Sequence, residues 1–368
     1  MIVRENFIFR NSQTFAFICI FVIQQMAPKK VTIKDIAREL DTTYSTVSRA
    51  LTNAPGIGEE KRRQVLAKAR EMGYEPNLFA RQLRQGGSST IGLIVPRINR
   101  VFFSNVIHGV ETIAREKGYS VIICQSNEES RHEQDNIRAL ISNRVAGIIM
   151  SLSKETEQAD PLIKILERKI PLVMFDRVFA DMDANKVLND NFHAALQLTE
   201  HLIGQGYKQI VHFSGPERIN IYRDRRAGFL KAMENHGMKP VNGQVIDNVI
   251  TKDQGRAHTE RMITEGHPFD AIFAASDYSA LGALLSLKEH DVEVPSEVGV
   301  AGFANEPFTE LLEITTVEQQ STEIGRSAAR LLFEGIEAEP DATNKEIVIK
   351  PEIIIRNSTL KTGNNEIQ

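Results

Sequence analysis

From Ile91 onward the chain repeats one pattern: short unbroken apolar runs separated by amphipathic helical stretches. The runs fall at 91–96, 120–125, 147–152, 171–175, 209–213, 271–275 and 298–302. Between them, 103–117, 134–144, 192–205, 225–236 and 278–290 carry apolar residues at helical spacing. A strand with one wet face alternates apolar and polar residues, whereas a continuous run is covered on both faces, as in a parallel sheet flanked by helices. There are too many such units for one sheet. The pattern therefore predicts an α/β body of two Rossmann-like subdomains, with any ligand held beyond the carboxyl ends of the strands.

At 368 residues the chain has room for two or three domains. Its formal charge of −4 conceals an asymmetry. Residues 27–87 hold twelve Lys and Arg against seven Asp and Glu, a net +5. Residues 1–26 carry +1, which leaves −10 on 88–368. A small basic head on a large acidic body points to a polyanion-binding module attached to something that binds a different partner. Two cysteines, Cys19 and Cys124, form no CxxC and no disulfide framework, which favours a reducing compartment and excludes a structural zinc site of the usual kind.

The first 26 residues do not fit the rest. Phe15 to Ile23 is a nine-residue apolar stretch, shorter than the ~20 residues a spanning helix needs. A signal-peptide core of that length is possible, but no small-x-small cleavage site follows it. The favoured expectation is that Met26 is the true start and 1–26 a non-native extension.

In the basic head, Ile33, Ile36, Ala37 and Leu40 form one apolar stripe, with Thr32 placed to cap it. After the connector Asp41-Thr42-Thr43, a second helix turns Tyr44, Val47, Ala50 and Leu51 inward and Ser45, Thr46, Ser48 and Arg49 outward. A third spans Glu59 to about Met72, stopped by Gly73. Two short helices across a tight turn, the second with hydroxyls and an arginine outside, are a helix-turn-helix. Asn77 to Gln85 has helical character over two turns, too short to be stable alone.

These segments resemble one family closely. Val31–Arg38 (VTIKDIAR), Tyr44–Leu51 (YSTVSRAL), Gly73–Asn77 (GYEPN), Ala80–Arg84 (ARQLR) and Ile91–Pro96 (IGLIVP) are similar to the lactose-repressor (LacI/GalR) family of bacterial regulators, and the likeness runs from about 30 to 357. The resemblance implies that Tyr44, Ser45 and Arg49 read base edges in the major groove. Thr32, Thr43, Ser48 and Asn77 would touch phosphates. The hinge helix would bring Ala80 and Leu83 to the minor groove, the leucine wedged into a base step. An arginine can bond guanine through two hydrogen bonds, and hydroxyls suit phosphate oxygens. One departure concerns the turn, where the family usually carries Gly and this chain has Asp41. Aspartate tolerates the left-handed conformation better than most residues, so the turn is expected to survive.

The same resemblance divides the chain into a headpiece at 31–76, a hinge and linker at 77–87, an effector-binding and dimerisation body at 88–357, and a tail at 358–368. Within the body, one subdomain takes 88–189 and 319–350 and the other 190–318 and 351–357. Candidate effector contacts at strand ends are Phe102, Asp190, Ser276 and Asp277, and the resemblance adds Arg223 and Arg225, in Tyr222–Phe229 (YRDRRAGF), a segment whose second arginine bonds the effector in the family. A guanidinium fork suits vicinal hydroxyls or a carboxylate equally well. Three have a structural alternative: Asp277 as a helix cap, Phe102 in the core, Arg225 in a surface ion pair. Ala304 stands where the family usually has an effector-binding carboxylate, so either Asn305 or Glu306 replaces it or the effector needs no acceptor there.

No phosphate-binding loop, nucleophile elbow or HExxH is present, and the nine histidines are scattered. The paired acids Glu128-Glu129 read as a solvated loop. The expectation is a cytoplasmic, cofactor-free regulator rather than an enzyme. It would be a homodimer binding a near-palindromic double-stranded DNA operator, controlled by a sugar or sugar phosphate, without membrane contact. The alternative is an exported sugar-binding protein, which would have no use for the headpiece.

Overall fold

A computed structural model describes residues 31–51, 55–74, 88–238, 243–338 and 343–361, in two compact units divided along the chain between residues 86 and 87. The expected hinge helix, with Asn77, Ala80 and Leu83, lies outside the described residues, as do 1–26 and most of the tail.

The first unit is helical. α1 (Ile33–Glu39) opens with a capping box: Thr32 Oγ1 accepts from the Asp35 N–H at 3.4 Å, and Asp35 Oδ2 accepts from the Thr32 N–H at 3.0 Å. Asp41 turns the chain with φ at 44°, the conformation that the family's glycine would supply. Thr43 then caps α2 (Tyr44–Leu51), its hydroxyl accepting from the Thr46 N–H at 3.2 Å. α3 (Glu59–Glu71) ends at Gly73, whose φ is 64°. Ile36, Ala37, Val47, Ala50, Val65 and Ala69 form the buried core. Tyr44, expected on the inner face, is 61% exposed. It opens α2, one turn before the stripe enters the core.

The second unit is α/β. One lobe holds a six-stranded parallel sheet ordered β11-β5-β4-β3-β1-β2, from β1 (Thr90–Val95), β2 (Ser120–Gln125), β3 (Ile148–Met150), β4 (Leu172–Phe175), β5 (Asn185–Asn189) and β11 (Glu346–Ile349). On one face of that sheet lie α4 (Val101–Glu116) and α12 (Ser321–Glu337); on the other lie α5 (Ser130–Ser142) and α6 (Asp160–Glu167). The other lobe has a parallel sheet ordered β7-β6-β8-β9, from β6 (Ile210–Phe213), β7 (Val245–Ile246), β8 (Ala271–Ala274) and β9 (Gly299–Ala301). It is covered by α7 (Asn191–Gly204) and α8 (Asn220–Asn235) on one side and by α9 (Lys252–Thr264) and α10 (Asp277–Glu289) on the other. The short α11 (Phe308–Leu311) and an antiparallel pair, β10 (Thr316–Glu318) with β12 (Glu352–Ile354), complete it.

All seven apolar runs contain strands, and both main sheets are parallel; six of the runs are buried on both faces, whereas β2, at the edge of its sheet, is largely exposed despite its apolar run. Helices α5 and α8 begin at Ser130 and Asn220, four to five residues earlier than their apolar periodicity suggests. The covering helices meet closely through glycine. A Cβ on Gly109 of α4 would stand 2.2 Å from the Thr322 carbonyl oxygen of α12, and one on Gly282 of α10 would stand 2.0 Å from the Lys252 carbonyl oxygen of α9. Backbones at such distances admit no side chain.

Candidate nucleic-acid interface and ligand cleft

On the helical unit, the residues expected to meet DNA gather around the start of α2. Thr43, Tyr44, Ser45 and Arg49 are exposed, and Ser48 is half-buried. The hydroxyls of Thr43 and Ser45 are 2.8 Å apart, so the N-terminus of α2 presents a small polar cluster. Such an end carries free N–H groups and positive potential, which suits phosphate. Arg49 lies back on the following loop, where its Nη2 donates to the Pro55 carbonyl at 2.5 Å. Thr32 is spent on its own cap.

On the body, a cleft with a cavity of about 170 Å³ lies where the strands of both lobes end. Residues following β1, β2, β3 and β4 line it from one lobe; residues following β6, β7, β8, β9 and β10 line it from the other. This is where a parallel sheet exposes side chains and loop amides without breaking its own ladder.

Of the six expected effector contacts, four line the cleft: Phe102, Arg225, Ser276 and Asp277. Phe102 is nearly buried, edge-on to Phe103 with ring centres 5.1 Å apart, so it serves the core and the cleft together. Arg225 is no surface ion pair. Its Nε donates to Asn191 Oδ1 and its Nη1 to the Ala275 carbonyl, both at 2.8 Å. The guanidinium lies 3.6 Å over the Phe303 ring. Burial lowers its pKa to about 10, so it stays charged at neutral pH.

Asp277 is neither a bare carboxylate nor a cap. Ser276 caps α10, and Asp277, its first residue, is fully buried. Its Oδ2 accepts from the Glu306 N–H at 2.8 Å and its Oδ1 from the Thr316 hydroxyl at 2.6 Å. Burial pushes its pKa up to about 7.

Arg223 and Asp190 stand outside the cleft. At 100° per residue, Arg223 points about 200° away from Arg225 on the same helix, and it pairs in solvent with Asp224 at 3.2 Å. Asp190 caps α7 instead, accepting from the His193 N–H at 3.1 Å and meeting the His193 ring at 2.8 Å.

The structure adds residues that the sequence reading missed. Asp176 and Arg177 follow β4 directly, and Asp176 takes φ of 58° to turn into the cleft. Glu128, expected in solvent, is buried against Arg177, with its Oε2 2.7 Å from Arg177 Nη1. Burial opposes both charges, yet each holds the other ionised: the Glu128 pKa is lowered and that of Arg177 raised. Asp176 is pushed upward by its own burial. Glu306, one of the two suggested replacements for a carboxylate at Ala304, lines the cleft; Asn305 turns away to Glu318 and Arg356. An Asp-Arg pair immediately after an apolar strand run was the signal available for the first two. Glu128 had none, because its partner lies 49 residues away.

A helix-turn-helix unit joined in one chain to a two-lobed body with a ligand cleft defines a DNA-binding regulator that carries its own small-molecule sensor. The chain belongs to the LacI family of bacterial regulatory proteins. The family model for "bacterial regulatory proteins, lacI family" matches 32–77, and that for "periplasmic binding proteins and sugar binding domain of LacI family" matches 88–357. The ribose operon repressor of Halalkalibacterium halodurans is 32% identical over 343 residues, covering 91% of this chain and 99% of that one. The transcriptional repressor CytR of Escherichia coli K12 is 30% identical over 330 residues, covering 89% and 96%. A lac repressor dimer solved with operator and the anti-inducer ONPF shares the fold, with a TM-score of 0.80 at 23% identity, covering 90% of this chain and all of that one.

Proposed function

We propose that this regulator represses an operon for use of a carbohydrate, and that its effector is a neutral monosaccharide of the pentose class. The observation that carries the effector class is the pairing of charges in the cleft. Arg177 lies with Glu128 and Asp176, and Arg225 acts within the field of Asp176 and Asp277. A sugar hydroxyl donates and accepts at once, so it fits between a guanidinium and a carboxylate. A phosphate would meet the same carboxylates as repulsion, which favours a neutral sugar over a sugar phosphate. Phe102 and Phe103 offer apolar surface for the ring, and the nearby relative named for ribose supports a pentose.

In this reading the headpiece is 31–76 and the hinge 77–87. The body, 88–357, has lobes of 88–189 with 319–350 and 190–318 with 351–357. Tyr44, Ser45 and Arg49 read bases, while Thr32, Thr43, Ser48 and Asn77 touch phosphates. Arg49 exchanges its bond to Pro55 for guanine. Ala80 and Leu83 enter the minor groove. Two copies bind a near-palindrome in the cytoplasm, and effector-driven closure of the lobes alters the affinity for DNA; coupling of ~1–3 kcal/mol is typical and acts both ways.

Selection of bound sites from random duplex DNA by the purified chain, with and without D-ribose, tests this. A palindrome whose recovery changes with ribose is expected. An unenriched pool from folded protein would defeat the DNA reading, and a palindrome indifferent to pentoses would defeat the effector assignment. Arg49→Ala should cost about 1–3 kcal/mol on the preferred site and little on random DNA.

A further inference from the structure

Arg100 and Glu306 line the cleft beside Tyr278. After β9 the chain passes through Ala304 and Asn305 with φ of 131° and 51°. Two consecutive residues with side chains in positive φ are costly, and such strain persists only where the surroundings enforce it. The turn brings Glu306 back over the cleft and buries it to 5% exposure. Its N–H is held by Asp277. Its carboxylate lies near the Tyr278 hydroxyl on its own lobe and, on the other lobe, near the start of α4 and within the field of the Arg100 guanidinium. Arg100 in turn crosses the gap from its side, its guanidinium 3.6 Å above the Tyr278 ring. Burial pushes the Glu306 pKa upward, and the Arg100 guanidinium opposes that shift.

Resting on the sugar reading above, we infer that Glu306 and Arg100 form a cap that fills the place of a ligand's second ring, so that the site selects a single small ring. The cavity of about 170 Å³ is lined by these groups as well as by Phe102, Arg177 and Arg225.

The test is calorimetric titration of the full chain with D-ribose and with adenosine, which carries the same pentose plus a purine. The wild type should prefer ribose by about tenfold or more. Glu306→Ala should bring that preference below roughly threefold by tightening adenosine, and Arg100→Ala, which opens the cap from the other lobe, should move it in the same direction. Glu306→Gln keeps the size of the side chain and an acceptor oxygen and should retain the preference. Urea unfolding of each variant verifies that it is folded. Equal binding of both ligands by the wild type overturns the cap, as does an equal loss for both ligands in the two alanine variants. Ribose binding with an unmoved ratio defeats the cap alone, whereas a wild type that binds neither ligand defeats the sugar reading and the selection built on it.

Discussion

Asn189 and Gln319 hold each other's amides where the chain passes between the lobes. Asn189 Nδ2 donates to the Gln319 main-chain carbonyl at 2.9 Å, and Gln319 Nε2 returns a bond to Asn189 Oδ1 at 3.2 Å. Asn189 ends β5 and Gln319 follows β10, and the same Nδ2 lies 3.5 Å from the carbonyl of Ile349 at the end of β11. One buried amide thus ties three crossing segments together.

Asn189→Ala leaves the Gln319 carbonyl and side chain short of partners in a buried place. The expected loss of unfolding free energy is about 1–3 kcal/mol, read as a lower urea midpoint. Combined with Gln319→Ala, the losses should fall short of their sum, because both variants break the same pair. Strict additivity would mean that the two amides act separately.

Arg225 and Arg223 separate the cleft from its surroundings. Arg225→Lys keeps the charge but cannot span Asn191, the Ala275 carbonyl and a ligand together, so ribose binding should weaken by about 30-fold or more. Arg223→Ala should change it by less than about twofold, since that side chain pairs with Asp224 in solvent. Titration calorimetry on the two variants decides. Comparable losses would put Arg223 back among the contacts.

Two buried groups pull stability in opposite directions with pH. Asp277, raised to about 7, keeps a proton that an unfolded aspartate releases near pH 4, so its presence costs more stability as pH rises from about 4 to 7. His212, stacked on Phe229 with its Nδ1 on the Phe273 carbonyl, is lowered to about 3 by burial. It stays neutral where an unfolded histidine charges, so it costs stability as pH falls from about 6.5 toward 3. Asp277→Asn can still accept from Glu306 and donate to Thr316. Its gain over the wild type should grow from pH 4 to 7 and then level off. The gain of His212→Phe should grow from pH 6.5 downward. Neither slope should exceed about 1.4 kcal/mol per pH unit. Urea unfolding at a series of pH values measures both, and a difference constant with pH would remove the group from the account.

Much of the architecture is local enough to be read from the chain. Thr32 and Asp35 close a capping box three residues apart, Asp41 takes the left-handed turn, and Gly73 stops α3. The apolar runs announce parallel strands because double-sided burial leaves no polar alternation. The crossing strands β5, β10 and β12 are legible only in three dimensions: each is short and only partly apolar, and its hydrogen-bonding partner is distant in sequence.

The amino-acid order by itself determined the helix-turn-helix, the α/β class and the family, since these depend on spacing within one element or one motif. Tertiary structure decided which charges face the ligand. Glu128 looks solvated until Arg177 meets it from 49 residues away, Arg223 looks like Arg225 until the helix turns it outward, and Glu306 is unremarkable until it comes near the start of α4 on the other lobe. The energy of a charge depends on burial and on its partner, and neither is a property of the residues next to it in sequence.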